Sequence, residues 1–177
     1  EKTNMIVAAE VPDKRAALGI KVMEHGKDYF TDKAPFITLE QVEAVREKTA
    51  KTKRKYMVYF NERLNVESAV YAGYLVKAGA IGKVVQIMGL GPHRLRAESR
   101  PDWFFRKEKY GGILIDIGCH QIEQFLYYSD ATNAKITESY IANYNNPQYP
   151  ELEDFGSASI IGDNGTSGFF RIDWLTP

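Results

Sequence analysis

Asp116 and His120 stand four residues apart in the stretch Gly111-Gly112-Ile113-Leu114-Ile115-Asp116-Ile117-Gly118-Cys119-His120, which runs on to Tyr128. On a helix, side chains at i and i+4 sit on adjacent turns with Cβ atoms roughly 5–6 Å apart, so this carboxylate and imidazole can share one site. Two kinds of chemistry are open to such a pair. An imidazole titrates near neutrality, and a carboxylate beside it orients the ring and stabilises its protonated form, which suits proton transfer. With Glu123 the pair could instead ligate a divalent metal, as in a hydrolase or isomerase. That needs further ligands, and only His25 and His93 remain as histidines, without paired spacing. The single cysteine, Cys119, is flanked by apolar helix residues and is expected to be buried and inert rather than a nucleophile.

The element that must position the pair reads as one helix. Leu114, Ile117, Ile122, Phe125 and Leu126 recur on one apolar face, and Asp116, His120, Glu123 and Tyr127 on another. An ordinary half-exposed helix would present such polar residues merely to solvent, but the glycines argue otherwise. Gly111-Gly112 permits close backbone approach at the start. Gly118 lies inside, where glycine costs about 1 kcal/mol relative to alanine, so something is expected to need room there.

Upstream, Met5-Ile6-Val7-Ala8-Ala9 reads as a buried strand. Pro12-Asp13 opens a helix with Ala16, Ala17, Leu18, Ile20, Val22 and Met23 inward, stopped by Gly26. Lys27 to Thr31 is a second strand, Asp32 to Phe36 a loop at its carboxyl end, and Thr38 with Gln41 a capping box for a helix from Leu39 to about Thr52. The basic residues closing that helix read as solvated charge complementing its dipole. Tyr56 to Phe60 is a third strand. Strand, helix, strand, helix, strand is the pattern of a parallel α/β sheet. Ligands bind outside the carboxyl ends of such strands, where Lys33 and the Ala9-Glu10-Val11-Pro12 segment fall. The chain opens on a strand with no initiator Met, which suggests a fragment cut at both ends.

From Asn65 the pattern changes. A helix carrying Val66, Ala69, Val70, Tyr74 and Leu75 stops at Gly79, and Val84 to Leu90 follows as a strand. The aromatic and basic loop Pro101 to Arg106 precedes the helix of Asp116 and His120. Lys135 to Tyr144, Glu153 to Ile161 and Ser167 to Trp174 then read as strands, the last two joined by the turn Gly162-Asp163-Asn164-Gly165. Short turns imply an antiparallel sheet. The expected fold is therefore α/β, with residues 1–63 in a partial parallel-sheet domain and residues 64–177 in an α+β domain whose open sheet is largely antiparallel.

The 23 basic and 23 acidic side chains cancel, so no global field draws the chain to nucleic acid or an anionic membrane surface. A small ligand is the default partner. No apolar run approaches the roughly 20 residues of a membrane helix, and one cysteine forms no intrachain disulfide, which fits a cytoplasmic protein. Tyr56, Tyr59, Tyr71, Tyr140 and Tyr144 could line a sugar site or a dimer face. Core and interface is the preferred reading, with a homo-oligomer formed through the open sheet.

Two motifs carry a resemblance. Gly26-Lys27-Asp28-Tyr29-Phe30-Thr31-Asp32-Lys33-Ala34-Pro35 resembles the Gly-Lys-…-Glu-Lys-Pro segment of the glucose-fructose oxidoreductase and inositol dehydrogenase (Gfo/Idh/MocA) family, with Asp32 and Ala34 in place of Glu and Pro. Gly111 to His120 resembles its Gly-Gly-…-Asp-x-Gly-x-His segment, and the Gly79-Ala80-Ile81-Gly82 turn lies between. The resemblance implies the C-terminal half of a Rossmann-type sheet followed by a substrate domain, and an oxidoreductase using NAD or NADP on a secondary hydroxyl of a sugar, cyclitol or polyol. It maps catalytic Lys, Asp and His onto Lys33, Asp116 and His120. Ala9, Glu10, Pro12, Lys33 and Arg106 would face the cofactor, and Arg106 with the catalytic three the substrate. No Gly-x-Gly-x-x-Gly precedes a helix here: Gly89-Leu90-Gly91-Pro92 lies in a strand and loop. A catalytically silent ligand sensor and an NAD-dependent glycosidase relative are the alternatives.

Overall fold

The computed structural model describes residues 3–177. Its first part is a three-stranded parallel sheet in the order β1 (Met5–Ala8), β2 (Asp28–Asp32), β3 (Tyr56–Tyr59). The connections are α1 (Pro12–Glu24) and α2 (Leu39–Thr52). Two crossovers stepping in the same direction place both helices on one face of the sheet, and Ala16, Met23 and Val45 form the small core between them. Pro12 opens α1 at a position where no amide hydrogen is needed, and Gly26 (φ +71°) supplies the left-handed residue just past its end. The Thr38 hydroxyl accepts from the Gln41 amide at 3.3 Å. The Gln41 side chain reaches back to the Ile37 amide at 2.8 Å, one residue beyond a regular capping box.

Two expectations fail here. β1 is exposed, with Val7 64% accessible, because it is an edge strand and the side of the sheet away from α1 and α2 is uncovered. On α1 the buried stripe runs Pro12, Arg15, Ala16, Gly19, Val22, Met23, so Ala17 faces out and a charged residue faces in.

After β3 come α3 (Asn61–Leu64), which no sequence signal announced, and α4 (Glu67–Lys77). The second sheet has the order β4 (Gln86–Pro92), β7 (Ser167–Asp173), β6 (Phe155–Gly162), β5 (Ala134–Ala142). β5, β6 and β7 pair antiparallel, whereas β4 runs parallel to β7. Between β4 and β5 lie two single turns of 3-10 helix, α5 (Lys107–Tyr110), α6 (Ile113–Asp116) and α7 (Gly118–Ser129). Phe170 and Ile172 alternate inward along β7 and meet Phe125 and Ile113 in the main core. Burying each such side chain stabilises by about 1.5–3 kcal/mol. The opposite face of this sheet exposes Met88, Leu90, Tyr140 and Phe169. Tyr56 packs on Tyr29 and Phe36, but Tyr71, Tyr140 and Tyr144 are exposed.

The helix expected over 111–128 is in fact two. α6 ends at Asp116, Ile117 bends the backbone (φ −100°), and α7 begins at Gly118. Gly118 does not need its missing side chain: a Cβ there would meet Ile172 and Leu114 at ordinary distances of 3.6 and 3.7 Å. The demanding glycines are Gly111 (φ +85°) and Gly112 (φ +102°), where the chain turns from α5 into α6 in a region L-residues avoid. A Cβ on Gly112 would also overlap the carboxylate of Glu153, which accepts from the Ile113 amide at 2.9 Å and so satisfies the start of α6.

Candidate functional site

Lys33 follows β2, and its loop is held by a buried cation. The Arg15 guanidinium, 6% exposed, donates to four backbone carbonyls: Glu10 (2.6 Å), Asp32 (3.0 Å), Ala34 (3.1 Å) and Lys33. It therefore ties the loop after β1 to the loop after β2. Held this way, Lys33 Nζ lies 2.8 Å from Asp116 Oδ1 and 2.7 Å from the Asp116 carbonyl oxygen, the second being an acceptor at the carboxyl end of α6.

His120, in the first turn of α7, is buried at 3% exposure. The Glu62 carboxylate on α3 lies 3.9 Å from its Nε2 and equally 3.9 Å from Nε2 of His93. The Phe60 ring meets the imidazole edge-on, and Nδ1 has no hydrogen-bond partner among the described residues. Burial drives the His120 pKa below the ordinary histidine value. The Lys33 ammonium pushes the same way, and the negative charges of Glu62 and Asp116 oppose it. The ring is thus held neutral near pH 7, the form in which it can accept a proton.

Ala9, Pro12, Lys33, Asp116 and His120 line one cleft of about 730 Å³ between the two sheets. Glu10 is not on its wall: its carboxylate accepts from the Val11 amide at 2.8 Å and its carbonyl from Arg15, so it shapes the loop. Arg106 is elsewhere too. The turn Asp102–Phe105 presents Trp103 and Phe104 to the cleft, and Arg106, after them, lines a separate recess with Tyr149 and Glu151. The cleft's own arginines, besides Arg15, are Arg94, Arg96 and Arg100.

The metal reading loses its geometry, because Glu123 turns to Arg63 at 2.5 Å rather than to Asp116 and His120. Among the described residues no group of three His, Cys, Asp or Glu side chains is placed to hold a metal ion. Cys119 is half-buried, and burial pushes its thiol up to about 12, which leaves it protonated at physiological pH. Two functional candidates escaped the sequence. Glu62 stands three residues after β3, at the same carboxyl edge as Lys33, and that position alone could have flagged it. Arg15 could have been found as a charge on the buried stripe of α1.

The family model of the GFO/IDH/MocA C-terminal domain matches residues 70–177, and the chain belongs to that family. It is 28% identical over 191 residues to D-xylose dehydrogenase from Paenarthrobacter nicotinovorans, covering 96% of this chain and 49% of that protein. A crystal structure from Erwinia carotovora atroseptica, provisionally described as an oxidoreductase, is 56% identical with a TM-score of 0.96, covering 98% of this chain and 52% of that one. Levoglucosan dehydrogenase in complex with NADH and levoglucosan shares the fold at 22% identity and a TM-score of 0.85, over 98% of this chain and 48% of the other. The chain thus spans about half the length of the relatives it matches. Among the described residues no helix is long and apolar enough to cross a membrane.

Proposed function

We propose that the intact protein is an oxidoreductase that moves hydride between NAD or NADP and a secondary hydroxyl of a sugar, cyclitol or similar polyol. The observation that carries this reading is the convergence of Lys33, Asp116 and a neutral, buried His120 in one cleft, from elements 83 residues apart in sequence. Removing hydride from a carbinol requires that the hydroxyl proton leave too, and the buried neutral imidazole of His120 is suited to take it. A nicotinamide bound in the cleft would supply the hydride acceptor. Lys33 donates hydrogen bonds and positive charge toward an oxygen that becomes alkoxide-like as the proton departs. Asp116 fixes that ammonium and adds negative charge favouring protonated His120.

The wall formed by Ala9 and Pro12 beside Lys33 is small and apolar, which suits the flat face of a nicotinamide ring. Residues 1–63 would be the partial cofactor domain and residues 64–177 the substrate domain. The exposed apolar face of the second sheet is the natural surface for a homo-oligomer in the cytoplasm.

The test is to mix the intact protein with NAD or NADP and a panel of pentoses, hexoses and inositols and follow nicotinamide absorbance. Reduction by at least one polyol supports the reading. Absence of both turnover and cofactor binding contradicts it.

A further inference from the structure

The chain as a whole is electrically balanced, but its cleft is not: five cationic and three acidic side chains line it. Two of the cations are already engaged, Arg15 by backbone carbonyls and Lys33 by Asp116. Arg94, Arg96 and Arg100 stand within eight residues after β4, and none is ion-paired among the described residues.

The segment that carries them is built rather than loose. Leu95, 8% exposed, is anchored in the main core between Arg94 and Arg96. Arg96 adopts a left-handed backbone conformation (φ +51°), uncommon for an arginine and costly unless the surroundings impose it. Its carbonyl accepts from both the amide and the hydroxyl of Ser99, each at 2.9 Å. Arg100 donates to the Leu95 carbonyl at 3.0 Å, and its guanidinium lies 4.4 Å from the Phe104 ring centroid and 5.1 Å from that of Trp174. Three arginines and the Phe104 and Trp174 rings thus line the same cleft as Lys33, Asp116 and His120. Arg94 and Arg96 are exposed and Arg100 is half-buried, and guanidinium groups without a carboxylate partner are matched by an oxyanion, which they bind through charge-assisted, often bidentate hydrogen bonds.

We infer that Arg94, Arg96 and Arg100 form an anion subsite, so that the polyol handled in this cleft bears a carboxylate or phosphate group. This rests on the oxidoreductase reading for the reacting end of the substrate only.

Calorimetry on the intact protein, with and without saturating NADH, at low and high salt, would compare D-gluconate, glucose 6-phosphate and neutral D-glucose. One anion is expected to bind at least about tenfold more tightly than glucose, with the preference shrinking as salt screens it. A preference for gluconate assigns a carboxylate subsite and one for glucose 6-phosphate a phosphate subsite. The double variant Arg94→Gln, Arg96→Asn, where asparagine tolerates the left-handed backbone, should remove the preference while leaving NADH affinity and the melting temperature unchanged. Equal affinity for all three sugars overturns the subsite. So does a variant that weakens NADH instead, which would assign the arginines to the cofactor. Arginine-dependent anion binding by a protein that never binds a nicotinamide would keep the subsite and discard the oxidoreductase reading.

Discussion

The Lys33 ammonium donates to both the carboxylate and the backbone carbonyl of Asp116, at 2.8 and 2.7 Å, and so joins the loop after β2 to the end of α6. The two ends of this contact belong to different parts of the fold, a loop of the first sheet and a helix packed on the second, which makes it a structural tie as well as a charge pair. Replacing Lys33 by Met keeps the stem and removes the charge. Turnover of the intact protein should fall about 10²–10³-fold, the range for loss of one group stabilising a developing oxyanion. Steady-state kinetics with the best polyol checks this, with circular dichroism to confirm the fold.

His120 predicts a pH profile. Oxidation needs the neutral imidazole, so kcat/KM should fall as pH drops through its pKa, and burial places that limb below the ordinary value of about 6.5. Glu62 opposes the shift by stabilising the imidazolium. Glu62→Gln should therefore move the acidic limb to still lower pH, and a limb that moves upward or not at all would show that Glu62 does not act on His120.

Arg15 is buried against four carbonyl oxygens. Arg15→Ala strands acceptors and opens a cavity, costing on the order of 3 kcal/mol by urea denaturation. Activity should drop even where the protein stays folded, because the Lys33 loop loses its anchor.

The glycines of the motif divide sharply. Gly118→Ala should leave stability unchanged or raise it by up to about 1 kcal/mol, since the added methyl meets only ordinary contacts in a helix. Gly112→Ala should destabilise by several times that amount, through its φ of +102° and the Glu153 carboxylate. Thermal melting of the two variants side by side checks both signs.

Local signals explain what the sequence made legible. Pro12 and Gly26 mark the ends of α1, Thr38 marks the start of α2, and the Gly162–Gly165 turn marks the last hairpin. Each acts within a few residues and survives folding. What periodicity cannot see is a bend at an apolar position such as Ile117, where the 3.6-residue pattern continues although the helix does not. Nor can it see partnership across the fold. Lys33 and Asp116 were legible as types in a motif, but their pairing was not. The carboxylate within 4 Å of the His120 ring is Glu62, three residues after β3, whereas Asp116 pairs with Lys33. Arg106 was legible only as a residue type in a motif, and its placement was not: Trp103 and Phe104 on the preceding 3-10 turn line the cleft, and Arg106 lines a separate recess.

The most direct test of the central claim is single-turnover reduction of bound cofactor by the intact protein and its His120→Ala variant, with the cofactor dissociation constant measured on both. If His120 takes the hydroxyl proton, the rate falls about 10²–10⁴-fold while cofactor affinity stays nearly constant. An unchanged rate, with cofactor and substrate still bound, would contradict the assignment of His120 as the base.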